Sequence, residues 1–364
     1  MDQWGRMTRI LMAWATILLI LSFWGERAFS GWQEVEDLRE SAGLRCRPSH
    51  DDGDQPKDCN VLPKIYARVK HFPAPVYKGD LAPYLLKPKR LLHKGFVWVS
   101  LESDEIIKFR GRQWVKINGD EFIERRFLAF HRPSTFRGVK IDGKEVRLPF
   151  IWLILDTTPS RVPGGPVDYN ASTIKRYTRF PVNRVKYVDG EDWYEVGKYK
   201  WINQKRVALV RWYPRPQGVG EGEKWIYVDL YEQTLVAYEG DRPVYATLIS
   251  SGIKRFPTVE GLFRIWLKVE SKKMSGEEHT PDYYYLEDVP WQMYFYKGYA
   301  IHSSYWHDRF GIRQSSGCVN VAPYDAWWLF HWTDPKLRHG ENAVRATRKD
   351  PGTWVYVVQR ITPQ

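Results

Sequence analysis

The sequence predicts a mainly β protein with one supporting helix. Trp, Tyr and Phe make up 15% of the 364 residues, and aromatic side chains suit half-buried pleated surfaces. The 27 Gly and 23 Pro supply frequent turns. Short runs of alternating apolar residues, split by turn residues, recur along most of the chain. Apolar residues at 43% against 27% charged exclude intrinsic disorder as the main state. The length is about twice that of a usual domain, so roughly two or three packed units are expected.

Taken in order, the elements begin with an export signal. Arg6 and Arg9 precede an apolar run at 10–24, ILMAWATILLILSFW. That is the length of a signal-peptide hydrophobic region and short for a membrane span. Ala28 and Ser30 are small residues at the two positions a signal peptidase reads, with Gly31 as the new terminus. Residues 1–30 are read as a signal peptide or, uncleaved, a membrane anchor. Export to the periplasm or cell envelope follows. No Cys comes directly after the run, which argues against a lipid anchor.

Residues 31–60 are polar and acidic, as a linker is. Cys46 and Cys59 bracket the polar loop CRPSHDDGDQPKDC. In an oxidising compartment they are expected to form a disulfide, worth about 3 kcal/mol through loop closure. Cys318 is then the odd thiol, either buried and inert or kept for its reactivity.

From 61 to 140 the runs IYARV, VYKGD, KGFVWVSL, GRQWVKING and EFIERRFLAF read as five or so strands of a small barrel or sandwich. A second unit at 144–217 repeats part of that pattern. Gly190 matches Gly111, Trp193 matches Trp114, and Trp201-Ile202 matches Phe122-Ile123, with one inserted residue. The layout is similar to the small SH3-like barrels of bacterial cell-wall proteins. Its aromatic positions read as barrel core, with a sugar- or peptide-contacting face as the alternative. The string PRPQGVGEGE at 214–223 marks a domain boundary.

The third unit, 224–361, opens with a hairpin of strands 225–231 and 234–238 around Glu232-Gln233, with Ile226, Val228 and Leu230 on one face. Further strands are expected at 244–250, 261–269, 283–288, 291–296 and 299–302. One helix is signalled by Pro323 in a first turn and by a stripe of Ala326, Trp327, Leu329 and Phe330. Thr333-Asp334-Pro335 stops it.

The chemistry concentrates between Ala300 and Val321, in AIHSSYWHDRFGIRQSSGCVNV. A thiol is mostly protonated near neutral pH, so a nucleophilic Cys needs a neighbouring base, and His302 is the leading candidate. Gly317 has no Cβ, so the backbone there can turn sharply and aim successive N–H groups at one point. His302 followed, after a turn-rich loop, by Ser315, Gly317, Cys318, Val319 and Asn320 resembles the signature of the L,D-transpeptidase catalytic domain, also called YkuD. The opening hairpin and the segment from Pro257 to Phe263 are similar to that family as well. Two departures stand out: Ser316 occupies the position where the family usually has His, and the loop before Ser315 is short.

The resemblance implies an exported cysteine L,D-transpeptidase. Cys318 attacks the carbonyl of a peptidoglycan tetrapeptide stem between the L-centre of diaminopimelate and the terminal D-Ala, forming a thioester. His302 moves the proton, Ser303 orients the imidazole through its carbonyl, and the Gly317 and Cys318 N–H groups hold the oxyanion. An amine of a neighbouring stem, or of an acceptor wall protein, then takes the acyl group. Water in its place gives an L,D-carboxypeptidase, and a degenerate site gives a wall-binding scaffold. Trp306, Asn320, Ser315, Ser316 and Met274 are expected at the substrate. Met274 belongs to a lid over the cleft, formed by residues 272–276 with His279. His307, Asp308 and Arg309 are further candidates for holding anionic stems.

A net charge of +12 suits an anionic partner. No nucleic-acid motif and no run of five or more basic residues points to DNA or RNA. No metal-ligand spacing or phosphate-cradling loop is found, so neither a metal nor a cofactor is expected. Contact with the membrane is expected only through an uncleaved N-terminal segment.

Overall fold

A computed structural model describes residues 61–79 and 87–359. The export signal, the linker and the expected pairing of Cys46 with Cys59 lie outside the described residues. The chain divides into two compact units, Met1–Arg132 and Pro133–Gln364.

The described part of the first unit is antiparallel. Ile65–Val69 lies between Phe96–Leu101 and Leu128–Phe130. Ala74–Lys78 lies between Arg90–Leu92 and Glu121–Glu124. Ile107–Phe109, Arg112–Ile117 and Glu121–Glu124 form a meander. Trp114, Val115 and Ile117 are all buried, so that strand is covered on both faces. The expected five or so strands are thus eight shorter ones, because turn residues cut the long apolar runs.

The internal duplication has a structural counterpart. In each copy a tight turn with two positive φ angles, Arg110-Gly111 and Asp189-Gly190, joins two strands. In each, a one-turn 3-10 helix, Arg125–Phe127 or Gln204–Arg206, separates the last two strands. Positive φ at both central residues matches the twist of the flanking strands, and this is why Gly recurs there.

In the second unit the segment at 133–140, expected to close the first module, packs with the later strands. Val139–Lys140 pairs with Arg242–Ser250, and the ring of Phe136 lies 5.7 Å from that of Trp152. A Cβ on Gly138 would stand 2.3 Å from the carbonyl oxygen of Ala246, so the close approach requires glycine.

The Pro/Gly string at 214–223 is a turn on a continuous core. Phe150, Trp152, Ala208, Val210 and Tyr213 before it join Trp225, Tyr227, Val236 and Tyr238 after it in one buried cluster. Tyr213 stacks on Tyr227 at 3.6 Å, and its hydroxyl donates to Asp229 at 2.7 Å. Pro and Gly mark a change of chain direction. They say nothing of whether the flanking aromatic faces cover each other.

Lys224–Asp229, Thr234–Glu239 and Arg242–Ser250 form a meander, with Trp354–Val358 parallel beside the first strand. The turn at 230–233 is longer than expected. Asp229 Oδ1 accepts from the N–H groups of Tyr231 (2.9 Å) and Glu232 (3.0 Å), which ends the strand early. The expected strand 261–269 is two: Gly261–Arg264 pairs with Trp354–Val358, whereas Leu267–Gly276 pairs with Tyr284–Tyr296. Changing partners breaks it. Conversely, the two strands expected at 283–288 and 291–296 are one, bent where Asp288 and Trp291 take positive φ.

The helix Pro323–Trp332 is where the sequence placed it, with Pro323 in the first turn. Trp328 is buried along with Ala326, Trp327, Leu329 and Phe330, so the covered face is wider than the expected stripe. Polar anchors hold both ends. The buried Asp325 accepts from Tyr245 Oη (2.6 Å), the Gly138 N–H (2.7 Å) and the Thr247 hydroxyl. Lys268 Nζ donates to the carbonyls of Phe330 (2.6 Å), Thr333 (2.9 Å) and Pro335 (2.9 Å), satisfying orphan groups at the C-terminus. Among the described residues no helix is long and apolar enough to cross a membrane.

Candidate active site

The strand Val319–Val321 runs parallel to Tyr299–Ser303, with Ile301 opposite Val319 and His302 opposite Asn320. Paired residues of parallel strands project alike, so His302 and Asn320 share one face, and Cys318 lies in the bend that enters the second strand. The short apolar runs YAIHS and VNV carry this arrangement, and the turn before Cys318 aims it.

His302 is buried, and its Nδ1 lies 2.9 Å from the carbonyl oxygen of Ser303. A carbonyl only accepts, so Nδ1 carries the proton and Nε2 is left bare as a base. Burial pushes the imidazole down to about 4, outweighing the Ser303 hydrogen bond. Cys318 is a free, half-buried thiol, and burial pushes it up to about 11, with a backbone hydrogen bond at Ala300 offsetting only part. The resting pair is therefore a neutral thiol and a neutral imidazole.

The turn into Cys318 is closed by a serine. Ser315 Oγ donates to the Cys318 carbonyl at 2.5 Å and accepts from the Gly317 N–H at 3.1 Å. Ser315 N–H in turn donates to the Ser251 carbonyl at 3.1 Å. The buried Ser315 hydroxyl is thus spent on the turn rather than on substrate. The Gly317 N–H, expected at an oxyanion, is already engaged by that hydroxyl. Ser316 is exposed beside it. Gly317 sits at φ +116°, and a Cβ there would stand 2.8 Å from Cε1 of Tyr299. We expect Gly317→Ala to cost about 1–3 kcal/mol of stability and to lower any turnover at Cys318 more than proportionately. Thermal melting with a rate assay checks this, and an unchanged rate would show that the turn need not be tight.

The other expected site residues divide. Trp306 stands beside His302, ring centroids 5.8 Å apart, and Tyr305 packs edge-on against it at 4.8 Å. Asn320 is buried, with Nδ2 3.4 Å from His307 Nε2 and Oδ1 lacking a hydrogen-bond partner. Met274 stands opposite Leu286 within the strand Leu267–Gly276, so residues 272–276 form one arm of a hairpin. His279 lies in the turn beyond. Asp308 accepts from Ser134 Oγ (2.5 Å), Tyr177 Oη (3.1 Å) and the Arg176 guanidinium. It anchors its loop to residues far back in the sequence, and that carboxylate is not available to repel or hold a stem. The Arg309 carbonyl accepts from Ser250 Oγ at 2.9 Å.

Two tyrosines escaped the sequence reading. The hydroxyls of Tyr284 and Tyr294 are pushed up by burial and then by the neighbouring Cys318 thiol, Tyr294 to about 12. Tyr294 donates to Gln292 Oε1 at 2.8 Å. Both therefore stay protonated donors at neutral pH. In the run YYYLEDVPWQMYFY no local signal separates them from the other aromatics. Among the described residues no group of His, Cys, Asp and Glu is placed to hold a metal ion.

The L,D-transpeptidase catalytic domain, YkuD, matches residues 223–357. No curated protein matches the chain. Among solved structures, a mutant of the Enterococcus faecium L,D-transpeptidase is 27% identical over 37% of this chain and 50% of its own, with a TM-score of 0.31. The catalytic domain of the E. faecium L,D-transpeptidase is 28% identical over 38% of this chain and 98% of its own, TM-score 0.30. An L,D-transpeptidase from Stackebrandtia nassauensis is 22% identical over 39% and 58%, TM-score 0.29. The chain thus spans about half the length of the first of these, and TM-scores of this size decide nothing further. It is the family match, over a segment holding both His302 and Cys318, that makes residues 223–357 an L,D-transpeptidase catalytic domain of the YkuD family.

Proposed function

We propose that this protein is an exported cysteine L,D-transpeptidase that acts on peptidoglycan tetrapeptide stems. It forms L,D cross-links or attaches proteins to the cell wall. The observation that carries the reading is the placement of Cys318 at the entry to the strand that runs parallel to the one holding His302, with Nδ1 of the histidine tied to Ser303. Cys318 Sγ attacks the stem carbonyl as His302 Nε2 takes the thiol proton. The new S–C bond replaces the C–N bond to D-Ala, and the imidazolium returns the proton to the departing amine. The Cys318 N–H faces the developing oxyanion. An acceptor amine then attacks the thioester, its proton passes to His302, and the thiol is restored.

The test is incubation of the purified protein with disaccharide-tetrapeptide and mass spectrometry of the products. Release of D-Ala with formation of a cross-linked dimer is expected. Release of D-Ala with tripeptide alone would make the protein a carboxypeptidase. No release, together with no carbapenem adduct at Cys318, would leave a wall-binding scaffold and overturn the proposal.

A further inference from the structure

Away from Cys318, the second unit contains a cleft of about 400 Å³ bounded by Trp193, Trp201, Asn203, Glu191, Lys205 and Asp156. It is built on one face of the three-stranded sheet Val185–Val188, Glu191–Gly197 and Lys200–Asn203. Trp193 lies opposite Asn203, and Glu195 opposite Trp201, so both indoles share a face. Tyr194 and Ile202 point to the other face and pack in a separate hydrophobic cluster.

The duplication shows that Trp193 is not needed where it stands as core. Its counterpart Trp114 is 1% exposed and meets Tyr77 edge-on at 5.5 Å. Trp193 is half-exposed and lines an open cleft. One tryptophan of the pair fills an interior; the other presents part of its indole to whatever enters.

The rim narrows the chemistry of that guest. Glu191 is paired with Lys205 and also accepts from Asn203. Asp156 is paired with Lys175 at 2.8 Å. Each carboxylate is neutralised by its own lysine, and Arg206 adds one positive charge, so the cleft offers donors and acceptors without a strong net charge. Ser160 exchanges backbone hydrogen bonds with Trp201 (2.9 and 2.8 Å), so at that wall there is no free strand edge for an extended peptide. An aromatic face ringed by amide, carboxylate and ammonium groups, in a volume typical of small-molecule sites, suits a ring that is apolar on one face and polyhydroxylated at its edge.

We infer that this cleft binds a pyranose of the wall glycan, an N-acetylated amino sugar, stacked on Trp193 with its hydroxyl and acetamido groups on Asn203, Glu191 and Lys205. The identity of the sugar rests on the proposed wall function; the carbohydrate class rests on the cleft itself. Such a site would hold the protein on the glycan while Cys318 works on stems.

The experiment titrates the full chain carrying Cys318→Ala with the tetramer of N-acetylglucosamine, reading the Trp193 indole N–H by NMR and affinity by calorimetry. Working with an inactive thiol separates this question from catalysis, which the D-Ala release assay reports independently. Saturable binding that shifts the Trp193 indole, survives 0.5 M salt and weakens at least tenfold in Trp193→Ala and in Asn203→Ala is expected. Failure of both the tetramer and stem-free glycan strands to shift the Trp193 resonance would overturn the inference, and because this reading uses the unaltered tryptophan it stands even if Trp193→Ala folds poorly. A shift produced instead by free stem tetrapeptide would also overturn it, making the cleft a peptide site.

Discussion

Cys318→Ala is expected to remove turnover by at least about 10³-fold while leaving the fold standing. In the proposed mechanism the lost atom is the one that forms the thioester, and among the described residues no backup nucleophile shares its position: Ser316 is exposed at the turn, and Ser315 Oγ is committed to the Cys318 carbonyl and the Gly317 N–H. The structural cost is small, since the thiol is half-buried and its hydrogen bond to the Gly298 carbonyl, at 3.7 Å, is a weak one. D-Ala release and carbapenem adduct formation should both disappear, with a melting temperature within a few degrees of the wild type. Residual turnover near the wild-type rate would place the nucleophile elsewhere.

The second expected result concerns pH. With the thiol pushed up from 9.0 to about 11, the thiolate fraction at pH 7 is about 100-fold below that of an ordinary cysteine. Iodoacetamide labelling of Cys318 should be correspondingly slow at pH 7 and should rise about tenfold per pH unit without levelling off below about 10. His302, pushed down to about 4, stays a neutral base through the whole acidic range above that value. The acid limb of kcat/KM, which reports the free enzyme, should therefore fall near 4 rather than near the ordinary imidazole value of about 6.5. Proton transfer then accompanies attack, instead of preceding it. Labelling that levels off below pH 8, or an acid limb between 6 and 7, would mean a thiolate–imidazolium pair already formed at rest.

Much of the catalytic end was legible because its signals are local. His302, Ser315, Gly317 and Cys318 sit within one short segment, and a glycine before a lone thiol needs no distant partner to be read. The helix was equally plain, since Pro323 at its first turn and Pro335 beyond its end both act on neighbouring backbone. The paired turns of the duplication were carried by Gly111 and Gly190, each at a positive φ that glycine adopts without strain.

Hydrogen-bond capacity was not legible. Ser315 reads as a substrate contact in the sequence, yet its hydroxyl closes the turn; Asp308 reads as a candidate for holding stems, yet Ser134, Arg176 and Tyr177 converge on it from positions more than a hundred residues earlier. Nor did composition reveal which aromatics share a core. Tyr213 and Tyr227 stack across a string of Pro and Gly that read as a boundary.

By itself the sequence determined the β-rich class, the helix Pro323–Trp332 with its ends, the tight turns of the repeat, and the thiol–imidazole segment with the family it resembles. These depend on backbone preferences and side-chain chemistry acting over a few residues. Only the tertiary structure decided that Trp114 is interior while Trp193 lines a cleft, that residues 133–140 and 144–217 share a unit with the catalytic strands, and that Tyr284 and Tyr294 stand near Cys318. Burial and pairing are set by whatever segment arrives from elsewhere in the chain, and a residue's neighbours in sequence do not specify it.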